Sequence, residues 1–284
     1  MEGLLSKTNH EKLEYLLKNE PDIAFRNRVY FIVKELDVKP KDKILECGCG
    51  RGFHLNILRE LSRATLYGID INRKHLQIAK KQLAKKDVKI KYASVYALPF
   101  KDKFFDKVLL SEVLEHLEDE DKALQEIRRV LKPGGRLIIT VPNESYPFLW
   151  DPINKTLEKV FNTHIKRGLF SGIWAYHVRL YGREQLKDVL QRNKFHVKTV
   201  VGSTYFCFPF AHNIVYDIGK TLLEKNTLPG FVVNSTHRFS YRKKKSALNP
   251  INWVLGTFSA INRLNKDKDF KTSVCLHAVA TKNK

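Results

Sequence analysis

The chain has 284 residues, of which 43% are hydrophobic and 29% are charged. This balance supports a folded core and excludes a wholly disordered, collagenous or coiled-coil protein. Lysine and arginine (51) exceed aspartate and glutamate (30), so the formal net charge is +21. Such a charge favours phosphates, anionic lipid headgroups or nucleic acid as partners, unless the excess forms only a solvated lysine-rich surface.

The cysteines and apolar runs indicate where the protein resides. Four cysteines are too few for a disulfide framework in a chain of this length. No apolar run reaches the roughly 18 residues that a membrane-spanning helix needs. The first residues also lack the basic and longer apolar regions of a signal peptide. We therefore expect a reducing, cytoplasmic location, with peripheral contact at an anionic membrane as a further option.

Strand-like and helical patterns alternate along the chain, which predicts an α/β fold with a mostly parallel sheet. A helical segment over residues 10–37 comes first, and Pro21 is suited to begin its second helix. Strands are predicted at residues 43–47, 65–70, 89–93, 106–110, 136–141, 195–201 and 272–281. Helices are predicted at residues 53–61, 72–85, 123–131 and 183–191, the third ending at the breaker Lys132-Pro133-Gly134-Gly135.

This alternation is interrupted twice, which divides a Rossmann-like domain into segments. They are an N-terminal helical segment (1–38), a core (39–142), a lid-like insertion (143–182), a core helix and strand (183–202), a second insertion (203–271) and a last core strand (272–284). Aromatic residues of the insertions are expected to wall an apolar substrate pocket, to sit at a membrane surface or to form the insertion core. They are Trp150, Phe161, Phe170, Trp174 and the run 205–210.

A glycine-rich turn, Glu46-Cys47-Gly48-Cys49-Gly50-Arg51-Gly52, follows the first strand. Glycines at this place allow the backbone to approach a ligand closely. Phe53 stands where a dinucleotide fingerprint would need glycine, and Glu46 suits an amino group of a ligand. Asp70 ends the second strand, where it could accept hydrogen bonds from ribose hydroxyls or complement a helix dipole. A tight strand-to-helix turn without a ligand is the alternative.

These motifs resemble those of class I S-adenosylmethionine-dependent methyltransferases, in particular the methyltransferase type 11 domain of ubiquinone-pathway O-methyltransferases. The resemblance covers about residues 40–142 and, more loosely, 175–202. It implies a seven-stranded, mostly parallel sheet flanked by helices, with an antiparallel last strand. It also implies S-adenosyl-L-methionine as cofactor, with Ser94 where the family has an acidic residue beside the adenine. The implied cofactor-binding residues are Glu46, Gly48, Gly50, Gly52, Asp70, Ser94, Val95 and Ser111.

The fourth strand continues into Ser111-Glu112-Val113-Leu114-Glu115-His116. On a helix, Glu112, Glu115 and His116 would share one face, where they could bind a divalent ion or perform acid–base catalysis. A cap that orders the loop is the third interpretation. The pattern also resembles metal-dependent 2′-O-methyltransferases of small-RNA 3′ ends, which implies His177 as a further ligand of Mg²⁺, Mn²⁺ or Zn²⁺. His116 and Glu115 are the candidate catalytic residues.

The resemblance implies transfer of the methyl group of S-adenosylmethionine by direct displacement. The aromatic insertions favour O-methylation of a small or lipid-like acceptor. The positive charge and the metal-like residues favour an RNA 2′-O-methyltransferase instead, although nucleic acid is the less favoured partner. A catalytically silent basic adaptor that binds nucleic acid or membrane is the third hypothesis.

Overall fold

The computed structural model describes residues 7–18, 20, 22–84, 86–168, 170–210, 257, 260–265 and 270–283. Two helices, α1 (Lys7–Leu17) and α2 (Ile23–Leu36), precede the sheet. The predicted helix start at Pro21 lies outside the described residues. Asp22 caps α2, since its side chain accepts a hydrogen bond from the amide of Phe25.

The remaining elements follow the predicted alternation of strands and helices, except that the helix over Pro152–Phe161 was not predicted. They are β1 (Lys43–Cys47), α3 (Phe53–Leu61), β2 (Thr65–Asp70), α4 (Arg73–Leu83), β3 (Val88–Tyr92), β4 (Phe105–Ser111), α5 (Glu120–Val130), β5 (Leu131–Pro142), α6 (Pro152–Phe161), α7 (Arg183–Arg192), β6 (Phe195–Ser203) and β7 (Cys275–Lys282). Short 3-10 helices occur at Leu114–His116 and Gly172–Trp174. None of the helices in the described part of the chain is long and apolar enough to cross a membrane.

Two boundaries differ from the prediction by several residues. Helix α5 begins at Glu120 because Asp119 caps it, accepting a hydrogen bond from the amide of Lys122. Strand β5 begins at Leu131 because that residue pairs with Phe105 of β4, ahead of an irregular stretch. The Lys132–Gly135 breaker therefore ends the helix but lies within the bounds of the next strand.

The seven strands form one sheet in the order β3-β2-β1-β4-β5-β7-β6. Strands β1 to β5 pair in parallel, and β7 is antiparallel to both β5 and β6. The predicted Rossmann-like fold with an antiparallel last strand is confirmed. Because parallel strands end at the same edge of a sheet, the loops after β1, β2, β4 and β5 emerge together, at the edge where ligands bind in such folds.

Apolar side chains cover both faces of this sheet. One layer combines strand residues with α5 and α7, for example Phe105, Leu124 and Leu186. The other combines them with α1, α2 and α3, for example Val29 and Leu55. The N-terminal helices are therefore part of the core rather than an appendage.

A third apolar cluster connects the segment after β5 with residues close to β7. Tyr146, Trp150 and Ile173 pack there with Cys207 and Val274. Trp174 packs against the same cluster, so the two tryptophans form insertion core. Phe161 and Phe170 are instead 67% and 49% exposed.

A buried amide organises the segment that follows α6. The side-chain nitrogen of Asn154 donates to Asp151 Oδ2 (2.8 Å) and to the carbonyls of Phe170 (3.0 Å) and Ser171 (3.2 Å). Its side-chain oxygen accepts a hydrogen bond from the amide of Ile165 (2.7 Å). One side chain therefore fixes both ends of the loop that carries residues 165 to 170.

We expect Asn154→Ala to loosen this loop without unfolding the sheet. The substitution leaves buried carbonyl and amide groups unpaired, a cost of about 1–3 kcal/mol. Limited trypsin digestion at the exposed Lys166 and Arg167 should become roughly tenfold faster, with little change in the melting temperature of the core. Thr156→Ala on the exposed side of α6 is the control. Equal digestion rates for the two variants would contradict this role of Asn154.

Candidate active site

The glycine turn connects β1 with α3 through three residues of positive φ: Gly48 (72°), Gly50 (51°) and Gly52 (79°). A Cβ atom at position 48 would lie 2.4 Å from Cγ2 of Val113, so only glycine fits there. A Cβ at Gly50 would meet nothing within 4 Å. The turn therefore packs closely on the segment after β4 and leaves space beside Gly50, as a ligand in contact with this backbone would require.

Asp70 lies at the end of β2, beside the glycine turn. Its Oδ2 accepts a hydrogen bond from the amide of Gly50 (2.8 Å), and its Oδ1 accepts one from the amide of Asn72 (2.7 Å). Each carboxylate oxygen retains a lone pair that a ribose hydroxyl could use. The cap of α4 is Asn72, whose side chain accepts from the amide of His75 (3.1 Å). Asp70 is thus not needed as the helix cap.

Glu46 is buried under the same turn, with 2% of its surface exposed. Its Oε1 lies 2.7 Å from Nδ1 of His54, and the His54 ring stacks on Phe25 of α2. Burial raises the pKa of the Glu46 carboxyl, and the neighbouring His54 opposes this shift. Among the described residues, its Oε2 has no hydrogen-bond partner. A buried acceptor of this kind suits a donor such as the amino group of the predicted cofactor.

The remaining predicted cofactor contacts lie on two other strand ends. Ser94 follows β3, and its hydroxyl accepts a hydrogen bond from the amide of Tyr96 (3.2 Å). Val95 packs in the core cluster beside it. The hydroxyl of Ser111, at the end of β4, lies 2.8 Å from that of Thr140 on β5. Contact of Ser94, Val95 and Ser111 with a cofactor stays a prediction.

The expected helical face after β4 is wrong. Glu112 has a φ of 54°, which a right-handed helix excludes, and the 3-10 helix begins only at Leu114. Glu112 instead forms an ion pair with Arg28 of α2 (2.8 Å) and accepts a hydrogen bond from Thr140 (3.1 Å). Glu112 therefore stands outside the group that the other three predicted ligands form.

Glu115, His116 and His177 do come together, with one possible ligand atom from each lying within 4.8 Å of the others. The Nε2 atoms of His116 and His177 lie 3.8 Å and 4.0 Å from Oε1 of Glu115. Glu115 is fully buried, and neither carboxylate oxygen has a hydrogen-bond partner among the described residues. Burial, and next the charge of Glu112, raise its pKa well above the usual range.

The loop before α7 holds this group in place. The carbonyl of Tyr176 lies 3.1 Å from Nδ1 of His116, and the amide of Val178 donates to the carbonyl of Glu115 (2.9 Å). His177 is carried between these two contacts. A buried carboxylate and two imidazoles can bind a divalent cation, or the imidazole of His116 can accept a proton.

Arg28 and Thr140 position Glu112, and neither was predicted from the sequence. Arg28 lies on the apolar face of α2 between Phe25 and Val29, and it is buried there. A lone arginine within an apolar helical face is a signal for a buried ion pair, but its partner cannot be found from sequence. Thr140 lies in a buried strand and gives no such signal.

We expect Asp70→Ala to weaken binding of S-adenosylmethionine by roughly tenfold or more, because charged hydrogen bonds to hydroxyls contribute about 1.5–3 kcal/mol. Isothermal titration calorimetry measures the change. Asn72→Ala, which removes the helix cap but not the carboxylate, is the control and should retain affinity. Unchanged binding in Asp70→Ala would refute the role of Asp70.

The chain is similar in sequence to a known domain family and to curated proteins. Residues 45–139 match a family described as a methyltransferase domain. Protein MJ0638 of Methanocaldococcus jannaschii is 39% identical over 129 residues, which cover 45% of this chain and 53% of that protein. The ubiquinone/menaquinone biosynthesis C-methyltransferase UbiE of Burkholderia mallei is 29% identical over 150 residues, or 51% of this chain and 60% of that enzyme. The chain thus spans about half the length of these curated relatives.

Solved structures share the fold at low sequence identity. The [4+2]-cyclase SpnF superposes with a TM-score of 0.56 at 18% identity, covering 90% of this chain and 80% of that one. Phosphoethanolamine N-methyltransferase 2 of Haemonchus contortus, solved with S-adenosyl-L-methionine, gives the same TM-score and identity over 98% of this chain and 58% of that one. Residues 45–139 therefore match a methyltransferase domain, and the chain shares its fold with a solved methyltransferase in complex with S-adenosyl-L-methionine.

Proposed function

We propose that this protein transfers the methyl group of S-adenosylmethionine to a hydroxyl oxygen of a small or lipid-like acceptor. The observation that supports this most is the Glu115–His116–His177 group, which lies close to the glycine turn. Val113, two residues before Glu115, packs against Gly48. Side chains that can accept or donate a proton therefore lie beside the space where the cofactor would bind.

The cofactor supplies an electrophilic methyl group on sulfonium. The chain's own residues would bind and orient it: Asp70 at the ribose, Glu46 at the amino group and the backbone of Gly48 and Gly50 along its length. An attacking hydroxyl must then be aligned with the methyl carbon and lose its proton.

His116 is placed to take that proton or to share it with a cation. A carbonyl oxygen can only accept, so the contact with Tyr176 places the proton of neutral His116 on Nδ1. The lone pair then lies on Nε2, the atom that faces Glu115. His116 is therefore oriented as a base or as a ligand through Nε2.

We further propose that Glu115, His116 and His177 bind a divalent ion, Mg²⁺, Mn²⁺ or Zn²⁺. The buried Glu115 carboxylate supports this, because a cation would compensate its charge where no described residue donates a hydrogen bond to it. Such an ion would lower the pKa of a bound acceptor hydroxyl. His116 as a general base without metal is the competing mechanism.

Three other functions are alternatives. The charge of +21 and the metal-like group favour RNA 2′-O-methylation. A carbon or nitrogen acceptor is favoured by the similarity to UbiE, a C-methyltransferase, and to the Haemonchus N-methyltransferase. A catalytically silent adaptor is the last alternative, because the fold by itself does not imply methyl transfer: SpnF shares it and is a [4+2]-cyclase.

The proposed activity predicts incorporation of label from methyl-labelled S-adenosylmethionine into hydroxyl-bearing lipids or phenols. We expect labelled product in the organic phase of a lipid extract, and loss of labelling in His116→Ala with cofactor binding retained. His196→Ala on the exposed side of β6 is the histidine control. Label in RNA alone would favour the alternative, and bound cofactor without any transfer would favour the adaptor.

The proposed metal predicts that dialysed enzyme is inactive in chelator and recovers with Mg²⁺, Mn²⁺ or Zn²⁺. His177→Ala should need more metal, whereas His164→Ala, which alters a histidine stacked on Trp174, should not. Because the pKa of Glu115 is raised, its carboxyl carries a proton at any pH below that value. A metal ion that binds there must displace this proton. Affinity should therefore increase with pH through that raised pKa.

Calorimetric titration of the protein with the metal ion, in buffers of different ionisation enthalpy, measures the number of protons released. This measurement does not depend on activity. Full activity in chelator would exclude the metal. The general-base mechanism instead predicts full activity in chelator and its loss in His116→Ala, which no added metal restores.

A further inference from the structure

The end of α6 and the loop that follows it project apolar side chains into solvent. We name residues 159–168 together with Phe170 the apolar–basic loop. Val160 and Phe161 are 63% and 67% exposed, and Phe170 is 49% exposed. Exposed apolar side chains grouped in this way mark a surface that contacts an apolar partner or a membrane.

The charge of this segment has one sign. The apolar–basic loop contains three basic residues and no aspartate or glutamate. Lys159, Lys166 and Arg167 are exposed on the same loop as the apolar side chains. Aromatic and aliphatic groups beside basic residues are the combination by which peripheral proteins bind anionic lipid surfaces.

Hydrogen bonds hold the apolar–basic loop in a defined conformation. Asn154 fixes it through Ile165 and Phe170. The hydroxyl of Ser171 donates to the carbonyl of Gly168 (2.8 Å), which closes the turn that carries Phe170. The apolar side chains are therefore held outward at little further cost in conformational entropy on binding.

The same loop is connected to the candidate active site. The amide of Tyr176 donates to the carbonyl of Lys166 (3.4 Å), and the carbonyl of Tyr176 contacts His116. His177 is the next residue. A surface bound by the loop would thus lie near the Glu115–His116–His177 group.

From these observations we propose that the apolar–basic loop inserts into the interface of an anionic lipid bilayer and presents the active site to acceptors dissolved there. The location of the acceptor rests on the proposed function, whereas the membrane contact does not. A bilayer fits better than RNA because Val160, an exposed aliphatic side chain, gains from burial in lipid and offers no face for base stacking.

The test is cosedimentation of the full chain with vesicles of phosphatidylcholine, with and without phosphatidylglycerol. We expect binding only to the anionic vesicles, and weaker binding at high salt. Phe161→Ser with Phe170→Ser should lower the partition coefficient by roughly tenfold or more, because two partly inserted aromatic rings are lost. Lys166→Glu with Arg167→Glu should lower it to a similar extent.

Two matched controls separate the loop from general effects. Tyr15→Ser removes a comparably exposed aromatic residue on α1, and Lys80→Glu with Lys81→Glu makes the same charge change on α4. Both should bind anionic vesicles far better than the loop variants, and all variants should retain cofactor affinity. Equal losses in loop and control variants would overturn the proposal.

RNA serves as the competing ligand in the same assay. If the loop variants lost retention of single-stranded RNA but bound anionic vesicles like the parent protein, the loop would be an RNA surface and the proposal would be wrong. Vesicle binding by a protein that transfers no methyl group would uphold the membrane contact and refute only the proposed function.

Discussion

Parallel pairing of β1 with both β2 and β4 is the constraint on which the rest of this structure depends. The register places Cys47 opposite Ile69 and Leu110, so the three strands end at nearly the same level. The glycine turn, Asp70 and the segment carrying Glu115 then meet at one edge, although they are far apart in sequence. Positive φ at Gly48 allows the turn to pack on Val113, which brings two of these three loops into contact.

The N-terminal helices complete this edge from outside the sheet. Arg28 of α2 pairs with Glu112, and Phe25 of the same helix stacks on His54, the partner of Glu46. One helix therefore helps to position both Glu46, near the end of β1, and Glu112, directly after β4. Without this helix, Glu112 would lack Arg28 as its ion-pair partner, and His54, the partner of Glu46, would lack its stacking on Phe25.

The positive charge of Arg28 also acts on a residue in the antiparallel part of the sheet, His277. His277 of β7 lies opposite Thr140, and burial together with the charge of Arg28 lowers its pKa to about 3. The neutral imidazole pairs with the hydroxyl of Ser203 (2.8 Å). Glu115 differs from Glu112 because no described side chain donates to its carboxylate, and its raised pKa is the electrostatic result.

The sequence by itself determined the order of the seven strands and of the helices other than α6, together with the glycine turn and the position of Asp70. These depend on local periodicity and on glycine's freedom at positive φ. The sequence also identified Glu115, His116 and His177 as possible partners. Only the tertiary structure decided that Glu112 leaves this group, since its left-handed backbone and its ion pair with Arg28 involve an element 84 positions away. It likewise decided that Trp150 is buried while Phe161 is exposed. Both residues are apolar and aromatic, and packing against residues distant in sequence distinguishes them.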